Sequence, residues 1–257
     1  MVKRTLTIPL IAWMLLTGLC HAQSDSIGNE LLSRLSTGMA VGPSLPIGKR
    51  GIAPGDPIYR FDSTAVRPAM ALFLTYRISS GLGIELALDM PIDAGERHRE
   101  LQRQQAELAF PGYEVLSSFV SEGNLMFPSL GLSYRIELGD FMLEPALLAS
   151  YAGVEPASAN FLLKKNGENE YIGVRHDAGG GNAFALVPVL TFRYGFPDTA
   201  SGWGLLLRAA YFRTSFSTPY STTLTTLTTP SQSTSFTTHH HIHSLHIGLG
   251  AYLTGKR

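Results

Sequence analysis

Residues 68–90 read PAMALFLTYRISSGLGIELALDM, two runs of alternating character on either side of one turn. Met70, Leu72, Leu74, Tyr76 and Ile78 alternate with Ala69, Ala71, Phe73, Thr75 and Arg77. After Ser79, Ser80 and Gly81 the pattern resumes, with Leu82, Ile84, Leu86, Leu88 and Met90 set against Gly83, Glu85, Ala87 and Asp89. Successive side chains of a strand point to opposite faces, so this is a β-hairpin with one apolar face. Its other face holds small residues together with Arg77, Glu85 and Asp89. A soluble sheet buries such an aliphatic face and wets the charged one. A transmembrane barrel turns the same stripe to lipid and its polar face to the lumen. One hairpin is compatible with both.

The pattern recurs. In residues 128–151, Leu130, Leu132, Tyr134, Ile136 and Leu138 alternate with small residues, Arg135 and Glu137, and Phe141, Leu143, Leu147 and Tyr151 follow a turn at Gly139 and Asp140. In residues 186–211, Leu190, Phe192 and Tyr194 lead through a turn at 197–202 into Trp203, Leu205, Leu207 and Tyr211, with Arg193 and Arg208 behind them. Pro68, Pro128 and Pro188 stand 60 residues apart, and each precedes a strand ending on an aromatic residue beside an arginine. With a strand before and one after, the chain is expected to be all-β. Its strands should run over about 35–47, 68–78, 82–92, 125–138, 141–154, 183–195, 203–216 and 242–253.

The connections separate the two solvents. Strands two and three, four and five, and six and seven are joined tightly. The other joins are far longer than the usual hairpin loop of about 2–5 residues. Strict alternation puts the short turns at one end, as in outer-membrane barrels with short periplasmic turns and long outer loops. The expectation is an eight-stranded antiparallel up-and-down transmembrane β-barrel with long extracellular loops. Lipocalins share the strand count but enclose an apolar cavity. Here the inner face would carry Arg77, Glu85, Asp89, Arg135, Glu137, Glu144, Arg193 and Arg208, which should pair as a lumen network because unpaired buried charges are costly. Tyr76, Tyr134, Phe141, Tyr194 and Trp203 flank the short turns, where an aromatic girdle belongs.

Composition narrows the function classes. Lys plus Arg and Asp plus Glu number 20 each, so no global charge points to nucleic acid. Residues 1–22 read as a cleaved signal peptide: Lys3 and Arg4, an apolar core over 6–19, then Ala22 before Gln23, leaving 23–257 as the barrel. Cys20 is the one cysteine, and Leu19 stands where a lipoprotein signal has a small residue. The mature chain therefore has no disulfide framework or thiolate metal site.

The signal ending in Ala22-Gln23, the Gly42-Pro43-Ser44 of the first strand and the proline-led hairpins resemble the outer membrane protein beta-barrel domain family. That family belongs to the small eight-stranded barrels of Gram-negative bacteria, and the resemblance spans residues 35–253. It implies insertion by the barrel-assembly machinery and contact with outer-membrane lipid and lipopolysaccharide. Members usually end on an aromatic residue, whereas this sequence ends YLTGKR at 252–257.

The remaining segments offer little chemistry. Asp93 and Glu96 suit a helix start, and residues 94–110, rich in Arg, Glu and Gln, read as a short solvated helix. Asn166-Gly167 is a hairpin signal within an outer loop. Gly179, Gly180 and Gly181 read as a flexible joint. Of residues 217–238, 15 are Ser or Thr, which suits either a projecting β-edge or disorder. His239, His241 and His243 share a strand face and are weak metal candidates without a nearby carboxylate or cysteine. Ser244 and His246 share a parity, but no acid in the sequence plainly orients the histidine. No cofactor is implied. The expected function is non-catalytic: surface binding, adhesion or envelope integrity through the loops, with an extracellular protein or other surface ligand as the expected partner. A lipid A-modifying enzyme and a small-solute channel are the alternatives.

Overall fold

Alternation between small or charged residues and aliphatic ones gives each strand two unlike faces, and closing the sheet sorts them into an inside and an outside. The structure, a computed structural model, describes residues 33–47, 66–92, 103–104, 106–120, 124–155, 158–196, 202–226 and 230–254. The expected signal peptide, most of the 94–110 helix and the turn at 197–201 lie outside them.

The strands are β1 (Leu35–Pro46), β2 (Arg67–Arg77), β3 (Leu82–Pro91), β4 (Tyr113–Val120), β5 (Asn124–Tyr134), β6 (Ile136–Leu138), β7 (Phe141–Glu155), β8 (Ala159–Lys165), β9 (Tyr171–Ala178), β10 (Gly181–Gly195), β11 (Trp203–Thr226) and β12 (Gln232–Thr254). They form one sheet of twelve strands, rather than the eight expected, and every pairing is antiparallel. Among the described residues, β1, β2, β3, β5, β7, β10, β11 and β12 pair in that order, and β12 returns to β1. The ring is closed. The extra strands come from two sources. β5 breaks at Arg135, so the expected strand 125–138 continues as the short β6. The long connections also fold: β4, β8 and β9 build onto the upper part of β11.

Around the ring the aliphatic stripe points outward. Leu86, Leu130, Leu147 and Leu249 are more than half exposed, and Leu86 stands between Leu74 and Leu130. Seam closure between the first and last strands depends on glycine. A Cβ at Gly250 would strike the Met39 carbonyl oxygen, and one at Gly42 that of Ile247. The β1–β12 ladder passes from Val41↔Leu249 to Ser44↔His246, skipping Pro43, which has no N–H to give.

The Ser/Thr-rich segment is ordered in its described part. β11 runs to Thr226 and β12 starts at Gln232, and they pair from Thr218↔Thr238 up to Leu224↔Gln232. β-Branched threonine suits an extended backbone, and β9 covers the other edge of β11 from Tyr220 to Thr226. Phe161, Leu163, Val174 and Tyr220 form a second core there, with Ala106 of the expected solvated helix fully buried against them. The Asn166-Gly167 pair does turn a hairpin, but its connection is five residues, 166–170, closed by Lys165 N–H donating to the Glu170 carbonyl at 3.0 Å and Glu168 N–H to the Lys165 carbonyl at 3.2 Å. The glycine joint is pinned: Gly179 N–H donates to the Pro219 carbonyl at 2.8 Å, and Gly181 already pairs with Val154.

Candidate functional site in the barrel lumen

The inner face is layered. Nearest the short turns, Arg77 from β2, Arg135 at the β5–β6 break and Arg193 from β10 all converge on Glu144 of β7. Arg193 Nη2 lies 2.6 Å from Glu144 Oε2, and Arg135 Nε lies 2.8 Å from Oε1. Arg77 pairs with the same carboxylate and donates from Nη1 to the Gly81 carbonyl at 3.2 Å. Arg193 also donates to Ser36 Oγ at 3.0 Å, with its guanidinium 5.0 Å from the Tyr252 ring centre. One carboxylate thus serves three cations.

The next layer spans the lumen. β3 and β11 are four places apart in the ring of eight, so Arg208 reaches straight across to Glu85, Nη1 to Oε1 at 2.7 Å. Arg208 also donates to Thr191 Oγ1 at 3.3 Å and stacks 4.6 Å from the Phe73 ring centre. Above it, Asp89 stands 4.0 Å from Arg208 and 3.9 Å from His246 Nδ1, while Ser244 Oγ is 3.4 Å from His246 Nε2. Phe127 and Phe212 cap this group with ring centres 4.4 Å apart; Leu148 and Val187 line the wall at or below their level, and Phe216 fills the lumen beyond them. A cavity of about 10 Å³ remains beside Ala40, Asp89, Arg208 and His246, space for about one water.

Seven of the eight expected lumen charges point inward, and strand order sets their partners: Glu85 binds Arg208 because β3 faces β11 across the ring. Glu137 is a correction: it is exposed on β6, past the strand break and two residues from the turn at Gly139. Asp89 is the acid beside His246 that the sequence did not reveal, since strand order alone brings β3 near β12. The aromatic plug was also missed. Phe127 and Phe212 sit on the small-residue face, and extending the alternation one residue before Pro128 would have flagged the first.

Tyr134, Phe141 and Trp203 are exposed on the outer face by the short turns, with Tyr76 and Tyr194 half-buried on that face. Phe141 packs 5.0 Å from Tyr194, and Phe196 joins the group 4.6 Å from Trp203. His239, His241 and His243 face outward from β12 and do not converge. His243 Nε2 meets Tyr211 Oη at 2.7 Å and His239 Nδ1 meets Ser217 Oγ at 2.7 Å. Among the described residues no group of His, Cys, Asp or Glu could hold a metal ion.

No family model matches the chain, and no curated protein is similar to it in sequence. Solved structures with a similar course of the chain include the solid-state NMR structure of outer membrane protein AlkL in lipid bilayers. It is 14% identical, with 87% of this chain and 90% of that one aligned at a TM-score of 0.40. Another is a major outer membrane protein from Thermus thermophilus, 12% identical over 85% of this chain and 98% of that one, at a TM-score of 0.39. Both are outer-membrane proteins. No residue role is carried over at such identities.

Proposed function

We propose that the chain is a non-catalytic, integral outer-membrane barrel that holds a projecting β-sheet at the cell surface for binding, adhesion or envelope integrity. The observation that carries this reading is the inverted distribution of polarity. Arg193 and Glu144 are 0% and 1% exposed, while Leu249 is 69% exposed and Leu186 67%. In water such a wall would leave a continuous apolar belt uncovered, far beyond the patches soluble proteins carry. In a bilayer the belt is solvated and the paired charges are shielded from lipid.

Eight-stranded barrels leave room only for side chains, and this lumen is filled first by the arginine layer and then by the aromatic plug. His246 and Asp89 lie beneath that plug, with Ser244 beside Phe212, and space for about one water remains, which favours a packing role over turnover of a lipid. The measurement is single-channel recording of the purified chain in planar bilayers, beside vesicle flotation. The chain should float with vesicles and pass no stable current. A large, ungated conductance would favour the channel alternative. Altered lipid A in paired profiles of strains with and without the gene would favour the enzyme.

A further inference from the structure

The outer wall of the β11–β12 hairpin changes character abruptly. From the short-turn end its outward residues are Trp203, Leu205, Leu207, Ala209 and Tyr211 on β11, facing Leu253, Ala251, Leu249, Ile247 and Leu245. The next outward cross-strand pairs are Arg213↔His243, Ser215↔His241 and Ser217↔His239. Arg213 and His243 each stand 10 residues beyond Trp203 and Leu253. A tilted strand crosses the hydrocarbon core in about 9–11 residues. This puts the change at head-group level, on the side away from the short turns.

The donors there suit an anion. Arg213 and His241 are exposed, and Tyr211 Oη is held against His243 at 2.7 Å with their rings edge-on. Residues 202–257 contain no Asp or Glu, so nothing acidic on this hairpin competes. On the neighbouring β9, Asp177 lies opposite Ser221, further up, and is engaged by Arg175 at 2.7 Å. A guanidinium flanked by hydroxyl and imidazole groups matches the geometry of a phosphate. The borders are apolar. Ile47 N–H donates to the His243 carbonyl on one side, and the carbonyl of Phe184, itself 80% exposed, accepts from Thr214 Oγ1 on the other. An anionic head beside apolar walls describes an amphiphile.

We infer that Tyr211, Arg213, Ser215, His241 and His243 form a wall site for the phosphate head group of an outer-leaflet lipid, which sits between Phe184 and Ile47 and whose acyl chains run down the apolar wall over Leu245 and Ile247. This rests on the membrane reading above and deepens it. The full chain, reconstituted from detergent, is offered phosphatidic acid or a diacylglycerol with the same acyl chains, and adducts are counted by native mass spectrometry. The wild-type chain should retain phosphatidic acid and not the diacylglycerol. Arg213→Ala combined with His241→Ala should reduce that adduct about tenfold, the size of one lost charge-assisted bond. Arg213→Gln alone should give a smaller loss, and Arg175→Ala, on the projecting sheet, none. Heat-modifiable mobility checks that each variant is folded. Equal adducts in a folded double variant would overturn the site. Displacement by inorganic phosphate would reassign it to free phosphate. Failure of the wild-type chain to float with vesicles would instead overturn the membrane reading beneath it.

Discussion

Glu144 is the residue on which the turn end of the lumen depends. Three guanidinium groups share its carboxylate, and Arg193 and Glu144 are essentially inaccessible to solvent. Breaking a buried pair by removing one partner leaves an uncompensated charge. The two sides of this cluster are therefore unequal. Glu144→Gln removes the carboxylate that three cations share and is expected to cost about 3–5 kcal/mol. Arg135→Ala leaves Arg77 and Arg193 on the carboxylate and should cost clearly less. Urea refolding titrations in lipid, read by heat-modifiable mobility, give both values. A milder effect for Glu144→Gln than for Arg135→Ala would mean that the arginines find their counter-charge elsewhere.

At the scale of elements, the long connections behave as structure of their own. β4, β8 and β9 extend the barrel sheet along β11 and close a second core around Phe161, Leu163 and Val174. His176 of β9 is packed into it. Its Nδ1 meets Thr222 Oγ1 at 2.7 Å and its ring lies edge-on to Phe161 at 6.4 Å. Burial depresses its pKa to about 4, with Asp177 opposing the shift only in part. The folded value lies below the unfolded one of about 6.5. The unfolded hairpin then binds more protons between the two values, so stability is full above about pH 6.5 and falls as pH drops toward 4. Hydrogen exchange, corrected for its intrinsic pH dependence, should show β8 and β9 losing protection at pH 5 while β2 and β3 keep theirs. Protection unchanged in β8 and β9 would show that His176 is not buried neutral.

For the whole molecule, the question is which solvent the outer wall meets. Leu86 is 53% exposed between Leu74 and Leu130, and Ala87 is 3% exposed in the lumen. If the wall faces hydrocarbon, Leu86→Arg should cost about 2–4 kcal/mol near the bilayer midplane, and Ala87→Ser less. If the wall faces water, arginine at an exposed position is nearly free. Refolding titrations in lipid vesicles distinguish the cases, and a cost near zero at Leu86 would refute membrane insertion.

Period-two alternation belongs to local backbone geometry, so the sequence alone assigned Leu86 and Leu130 to one face and Arg77, Glu85 and Arg193 to the other. Glycine at 139 and 202 marked turns for the same local reason, and both have positive φ, 67° and 60°. Charge partners obey no local rule. That Arg208 meets Glu85, that Glu144 gathers three arginines and that Asp89 approaches His246 all follow from which strands stand opposite in a closed ring. Glu137 keeps the inward parity of Arg135, yet it is exposed because β3 ends before it and β6 pairs with β7 alone. The Ser/Thr-rich run was ambiguous by composition, since threonine favours an extended chain without supplying a neighbour to pair with. Only the return of β12 along β11, with β9 on the other edge, gave those backbone groups their partners.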